Sequence, residues 1–150
     1  MSQLEDRLME DYKEAMRAGD SHRKETVRLL RAAVKSAEID KRAPLSEAEV
    51  IDVLTRQAKQ RRDSIEQFTL GGRQDLVDSE RYELSLIESY LPQQASREEI
   101  EAAARDVIAA LGLSGPRAMG QAMGKLVPMF KGKADGKLIS DVVAGLLRQP

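Results

Sequence analysis

The stretch "YLPQQASREEI", residues 90–100, decides how this chain is divided. Tyr90 and Leu91 close an apolar pattern of helical period. Pro92 halts it, because the residue before a proline avoids the helical region. Three polar or small residues follow, and Ser96 with Glu99 then has the spacing of a capping box. One helix stops on a proline and the next begins on a fresh cap. That pattern predicts a boundary between an N-terminal domain over residues 1–92 and a C-terminal domain over residues 96–150.

Upstream of the boundary, four amphipathic helices are predicted. In the first, about Gln3 to Arg17, Leu4, Leu8, Tyr12 and Met16 recur every four residues behind Ser2, with Gly19-Asp20 as its stop. The second covers about His22 to Asp40, with Val27, Leu30, Val34 and Ala37 on one face, and Pro44 breaks the chain after it. Ser46 and Glu49 form a capping box for a third helix reaching Phe68. The very polar "KQRRDS" within it predicts that much of that helix projects into solvent. Gly71-Gly72 ends it, and a fourth helix runs from about Gln74 to Ser89.

Downstream, three shorter helices are predicted. The first spans about Arg97 to Leu111 and stops at Gly112. "SGPR" opens the second, since proline is tolerated in a first turn, and Pro128 kinks or ends it. The third spans about Asp135 to Leu147. No run of alternating β-branched residues suggests a strand. The predicted fold is all-α: a four-helix domain followed by a small three-helix domain. A domain of about 55 residues buries only ~60% of its unfolded surface, so the second should be marginally stable alone.

Composition agrees with helices. Of 150 residues, 41% are hydrophobic and 33% charged, with two Phe, three Tyr and no Trp. Absence of cysteine excludes disulfides, thiolate metal sites and cysteine nucleophiles. The N-terminus, "MSQLEDRLMEDYKEAM", is charged and has no apolar signal core. No apolar run approaches the ~20 residues that span a bilayer. These features predict a soluble, cytoplasmic protein without a membrane partner.

Net charge is −1, so nucleic-acid binding requires local clustering. The charge is uneven. Residues 96–150 hold eight Lys and Arg against six Asp and Glu, net +2, whereas residues 1–95 hold sixteen against nineteen, net −3. Arg117, Lys125, Lys131, Lys133 and Lys137 place five cations within 21 residues, against the single anion Asp135. Gly132 and Gly136 let the backbone take positive φ and approach a ligand. Asp135 is placed to cap the last helix, leaving further amides near the lysines, a natural phosphate site. A plain helix–helix turn, with glycine and aspartate as caps and lysines for solubility, also accounts for these residues.

A second cationic set is Lys24, Arg28, Arg31 and Lys35, whose spacing puts all four on one helical face. An anionic partner explains the arrangement. So does pairing with Glu25, Glu38 or another helix's carboxylates. "GQAMG", Gly120 to Gly124, predicts close packing of two helices. Glu80, Glu83 and Glu88 read as a solvated face. His22 is the sole histidine and reads as exposed. No nucleotide-binding or nucleophile motif occurs. The sequence assigns no catalytic residue, no metal ligand and no cofactor.

"RKETVRLLRAAVKSAEID" (residues 23–40), "ERYELSLIESYLP" (80–92) and "GQAMGKLVPMFKGKADGKLISDVV" (120–143) closely resemble the GatB/YqeY family, along essentially the whole chain. The resemblance implies that the C-terminal helices are similar to the tail domain of the B subunit of the tRNA-dependent amidotransferase. It implies that they grip tRNA, as related domains on some glutaminyl-tRNA synthetases are expected to do. The glutaminase and nucleotide-binding parts of that enzyme have no counterpart here.

The expected function is a non-catalytic accessory protein binding tRNA or another structured RNA. Its expected contacts are Lys125, Lys131, Gly132, Lys133, Gly136 and Lys137, extended by Arg117 and the Lys24, Arg28, Arg31 and Lys35 face. A tRNA-charging or amidating enzyme is a further expected partner. The alternatives are a subunit of a glutamine-dependent carbon–nitrogen ligase and a protein–protein interaction module.

Overall fold

A computed structural model describes residues 2–148. Among them are seven α-helices, one 3-10 turn and no strand. The chain forms two compact units, Met1–Leu91 and Pro92–Pro150.

The first unit holds α1 (Gln3–Ala18), α2 (Ser21–Lys41), α3 (Glu47–Leu70) and α4 (Gln74–Glu88). Each of the first three begins on a side-chain cap. Ser2 Oγ accepts from the Glu5 amide, Asp20 Oδ1 from the Arg23 amide, and Ser46 Oγ from the Glu49 amide. Glu49 completes the capping box by accepting from the Ser46 amide at 2.9 Å, and it also accepts from Lys41 Nζ at 2.6 Å. Two orphan amides of α3 are thereby satisfied at a point where the chain has just turned through Pro44. α1 ends at Gly19 with φ 69°. α2 instead ends on Arg42 at φ 61°, where glycine is the usual residue. It stands alone among the described non-glycine residues in having positive φ.

Leu8, Val27, Leu30, Val50, Leu54 and Ile87 form the fully buried centre of this unit. Each such side chain contributes roughly 1.5–3 kcal/mol by leaving water. Tyr90 closes one end. Its ring is buried and its hydroxyl donates to Asp11, while the Arg7 guanidinium lies 4.5 Å above the ring. Burial and the Asp11 carboxylate push the tyrosine hydroxyl's pKa upward.

The expectation that much of α3 projects into solvent is corrected by α4, which packs along it. Arg61, only 12% exposed at its side chain, lies 3.7 Å from both Glu80 and Glu83, and Arg62 lies 3.5 Å from Glu88. The polar stretch faces a complementary acidic face, which is why polarity misled the reading. The three glutamates are accordingly not a purely solvated face. Glu80 Oε2 is buried without a hydrogen bond, and burial raises the pKa of its carboxyl, with Glu83 adding to the effect.

The second unit holds α5 (Arg97–Leu111), a 3-10 turn at Pro116–Ala118, α6 (Met119–Met129) and α7 (Gly136–Leu147). Ser96 caps α5 and Gly112, at φ 63°, ends it. Pro128 lies in the last turn of α6, which stops one residue later. Ile100, Ala104, Ala122, Leu126, Ile139 and Val143 are its fully buried apolar centre. The close packing expected at "GQAMG" is not found. A Cβ added at Gly120 or Gly124 would meet no atom within 4 Å, so both glycines face open space.

Candidate nucleic-acid interface

The Gly/Lys loop lies between α6 and α7, and its shape follows from three backbone bonds and one side chain. The amides of Lys133 and Ala134 both donate to the Phe130 carbonyl, at 2.8 and 3.1 Å. This tight turn requires Gly132 at φ 75°. The turn aims the Gly132 and Lys133 carbonyls at residues 92–95. There Gln94 Nε2 donates to Gly132 O at 2.9 Å and to Pro92 O at 3.0 Å, and the Ala95 amide donates to Lys133 O at 2.8 Å. Gln94 is thus a clamp on the loop. Sequence reading missed it, because a lone glutamine in a connecting stretch carries no local signal for a partner 38 residues away.

Carbonyls point inward, while Lys131, Lys133, Gly136 and Lys137 are exposed. Asp135 caps α7 by accepting from the Lys137 amide, at 3.4 Å. Gly136 does not take the positive φ expected of it but sits at the first position of α7. Amides 133, 134 and 137 are committed within the loop, so the cations it offers an anion are its lysine side chains. Arg117, on the 3-10 turn, and Lys125, on α6, are exposed in the same unit. Among the described residues, Arg117, Lys125 and Lys133 form no ion pair.

In the first unit most basic groups are taken. Lys59 pairs with Asp63, Arg73 with Asp75, and Arg23 with Asp11 and Glu14. The basic face of α2 is mixed. Arg28 holds Glu25 through two hydrogen bonds, which lowers the glutamate's pKa. Lys35 lies 3.9 Å from Glu38. Arg31 is 5.2 Å above the Tyr12 ring and, among the described residues, joins no ion pair. Arg28, Arg31 and Lys35 line one cavity between α1 and α2, and Lys24 is not among its lining residues.

His22 is exposed, 3.8 Å from Glu83, with its ring against Tyr82. Among the described residues no group of three or more His, Asp or Glu side chains is placed to hold a metal ion. No helix of the described residues is long and apolar enough to cross a membrane.

Comparison with known proteins places this chain in a family. The model of the family described as "Yqey-like protein" matches residues 5–147. Three curated relatives share the name "Altered inheritance of mitochondria protein 41, mitochondrial". The one from Eremothecium gossypii is 42% identical over 100 residues, 65% of this chain and 55% of the relative. That of Kluyveromyces lactis is 40% identical over 113 residues, 73% of this chain and 60% of the relative. That of Pyrenophora tritici-repentis is 27% identical over 137 residues, 89% of this chain and 75% of the relative. The chain spans little more than half the length of the first two.

These names overturn the cytoplasmic expectation, since the relatives are mitochondrial proteins. The physical reason is plain. Mitochondrial transit peptides are amphipathic and Arg-rich, so lack of an apolar signal core does not bear on that compartment.

Proposed function

The chain belongs to the YqeY-like protein family, and from that premise we propose that it is a non-catalytic RNA-binding accessory protein. The RNA is a folded one such as tRNA. The second unit holds the phosphate backbone through Arg117, Lys125, Lys131, Lys133 and Lys137. The observation that carries this reading is that Arg117, Lys125 and Lys133 are exposed and, among the described residues, without a carboxylate, in the unit whose Gly/Lys loop turns its Gly132 and Lys133 carbonyls inward. An unpaired surface cation is fully available to a phosphate, whereas one already paired must first give up its partner. Three tyrosines and two phenylalanines provide little stacking platform for single strands, so shape and phosphate recognition fit better. A tRNA-charging or amidating enzyme is the kind of partner such an accessory would serve.

Fluorescence anisotropy of labelled tRNA with the purified chain tests the reading. The triple variant Arg117→Ala, Lys125→Ala, Lys133→Ala should bind about tenfold or more weakly, a loss of at least ~1.4 kcal/mol. Equal affinity of the triple variant would refute it. Partners captured from extract that survive nuclease treatment would favour a protein-interaction module instead.

A further inference from the structure

The cavity between α1 and α2 has an unusual mixture of walls. Its volume is about 420 Å³, within the ~300–1,000 Å³ of small-molecule sites. Leu8, Met9 and Ala32 give it an apolar side. Arg31 and Lys35 also line it, together with two carboxyl groups, Glu5 and Glu38. Two groups here are unusually placed. Glu5 Oε1 is buried without a hydrogen bond. Arg31 is held over Tyr12 and, among the described residues, has no carboxylate. The Glu5 carboxyl meets that of Glu38, and burial together with this contact raises its pKa, so the groove holds an acid pair as well as a guanidinium whose charge no carboxylate neutralises.

We propose that this groove binds a ribonucleotide, with its phosphate on Arg31, Lys35 leaving Glu38 to join it, and its vicinal ribose hydroxyls on Glu5 and Glu38. The spacing suits the ligand. Arg31 and Lys35 are one helical turn apart, and Glu38 lies roughly 4.5 Å further along the axis at 1.5 Å per residue. That is about the reach from a 5′-phosphate across one ribose. Guanidinium groups recognise phosphate oxygens through paired N–H donors. An acidic side chain accepting from ribose hydroxyls is the usual recognition of that sugar in nucleotide-binding folds. The apolar wall receives the base. Both hydroxyls are free only in a mononucleotide or in the 3′-terminal nucleotide of an RNA, because within a chain the 3′ oxygen is esterified. The site extends the RNA reading for Arg31 and Lys35 but does not depend on the Gly/Lys loop.

The test is an NMR titration of the full ¹⁵N-labelled chain. The probes are adenosine 5′-monophosphate, its 2′-deoxy form, inorganic phosphate, and an RNA trinucleotide with a free or a phosphorylated 3′ end. The ribonucleotide should shift amides of Glu5, Met9, Arg31 and Glu38, about tenfold more tightly than the deoxy form or phosphate. Arg31→Met should weaken it at least tenfold. Glu5→Gln should weaken the ribonucleotide but leave phosphate unchanged, and Lys133→Ala should change neither. Tight binding of the free-ended trinucleotide identifies an RNA end as the source, and binding of the mononucleotide alone identifies a free nucleotide. If ribo and deoxy forms bind alike, or no groove amide responds to any probe, the proposal is overturned. Loss of tRNA binding in Lys133→Ala with groove binding intact would separate failure of one site from failure of the other.

Discussion

Replacing Gln94 by alanine removes the hydrogen bond that ties its side chain to the Gly/Lys loop, 2.9 Å to Gly132 O, and the local bond that orients its amide, 3.0 Å to Pro92 O. Gln94 is half-buried, so water replaces part of what is lost. Net contributions of about 0.5–1.5 kcal/mol per bond give roughly 1–2 kcal/mol for the pair after that replacement. The nearby Ala95 amide, 2.8 Å from Lys133 O, depends on the same alignment and provides the readout. Native-state hydrogen exchange should show this amide opening about 5–30 times more often in Gln94→Ala. Amides in α1 and α2 should keep their wild-type rates. RNA affinity should fall by no more than the same factor, with its salt dependence unchanged, because no cation has been removed. An Ala95 amide that exchanges at the wild-type rate would refute the claim that Gln94 holds the loop.

Two further predictions concern the first unit. Arg42, at φ 61°, occupies a conformation that costs an L-residue ~1–2 kcal/mol, so Arg42→Gly should raise stability by about 0.5–1 kcal/mol net of glycine's entropy, as read by urea denaturation. The Glu49 carboxyl is held down to about 2, first by the Lys41 ammonium and then by the Ser46 amide. A depressed pKa adds stability above the usual 4.5 that is lost as pH falls toward 2. The stability gap between the wild type and Glu49→Gln should therefore be widest at neutral pH and close across that window, which a pH series of thermal melts would show. A gap constant from pH 7 to pH 2 would contradict it.

What was legible in the sequence was local. Ser2, Ser46 and Ser96 each start a helix where the capping pattern puts them, and Gly19, Gly71 and Gly112 each end one. A cap and its amide are three residues apart, so the chain itself carries the signal. Asp135 before α7 was legible for the same reason. Arg42 was not, because nothing in "KRAPLS" announces a left-handed arginine. The Arg61, Glu80 and Glu83 cluster depends on how α3 and α4 pack, which residue type alone does not encode. The Gln94 clamp and the α1–α2 groove belong to the same class. Each is made by residues tens of positions apart, and in isolation each of those residues looks like ordinary polar surface.

The central claim is that lysine and arginine side chains of the second unit neutralise RNA phosphates. Its most direct test is tRNA affinity measured across a series of salt concentrations. With about five phosphates neutralised, log affinity should fall against log salt with a slope of about −3.5 to −4.5, and each of Lys125→Ala and Lys133→Ala should reduce that slope by about one. An affinity indifferent to salt, or a slope that survives removal of these lysines, would contradict the account.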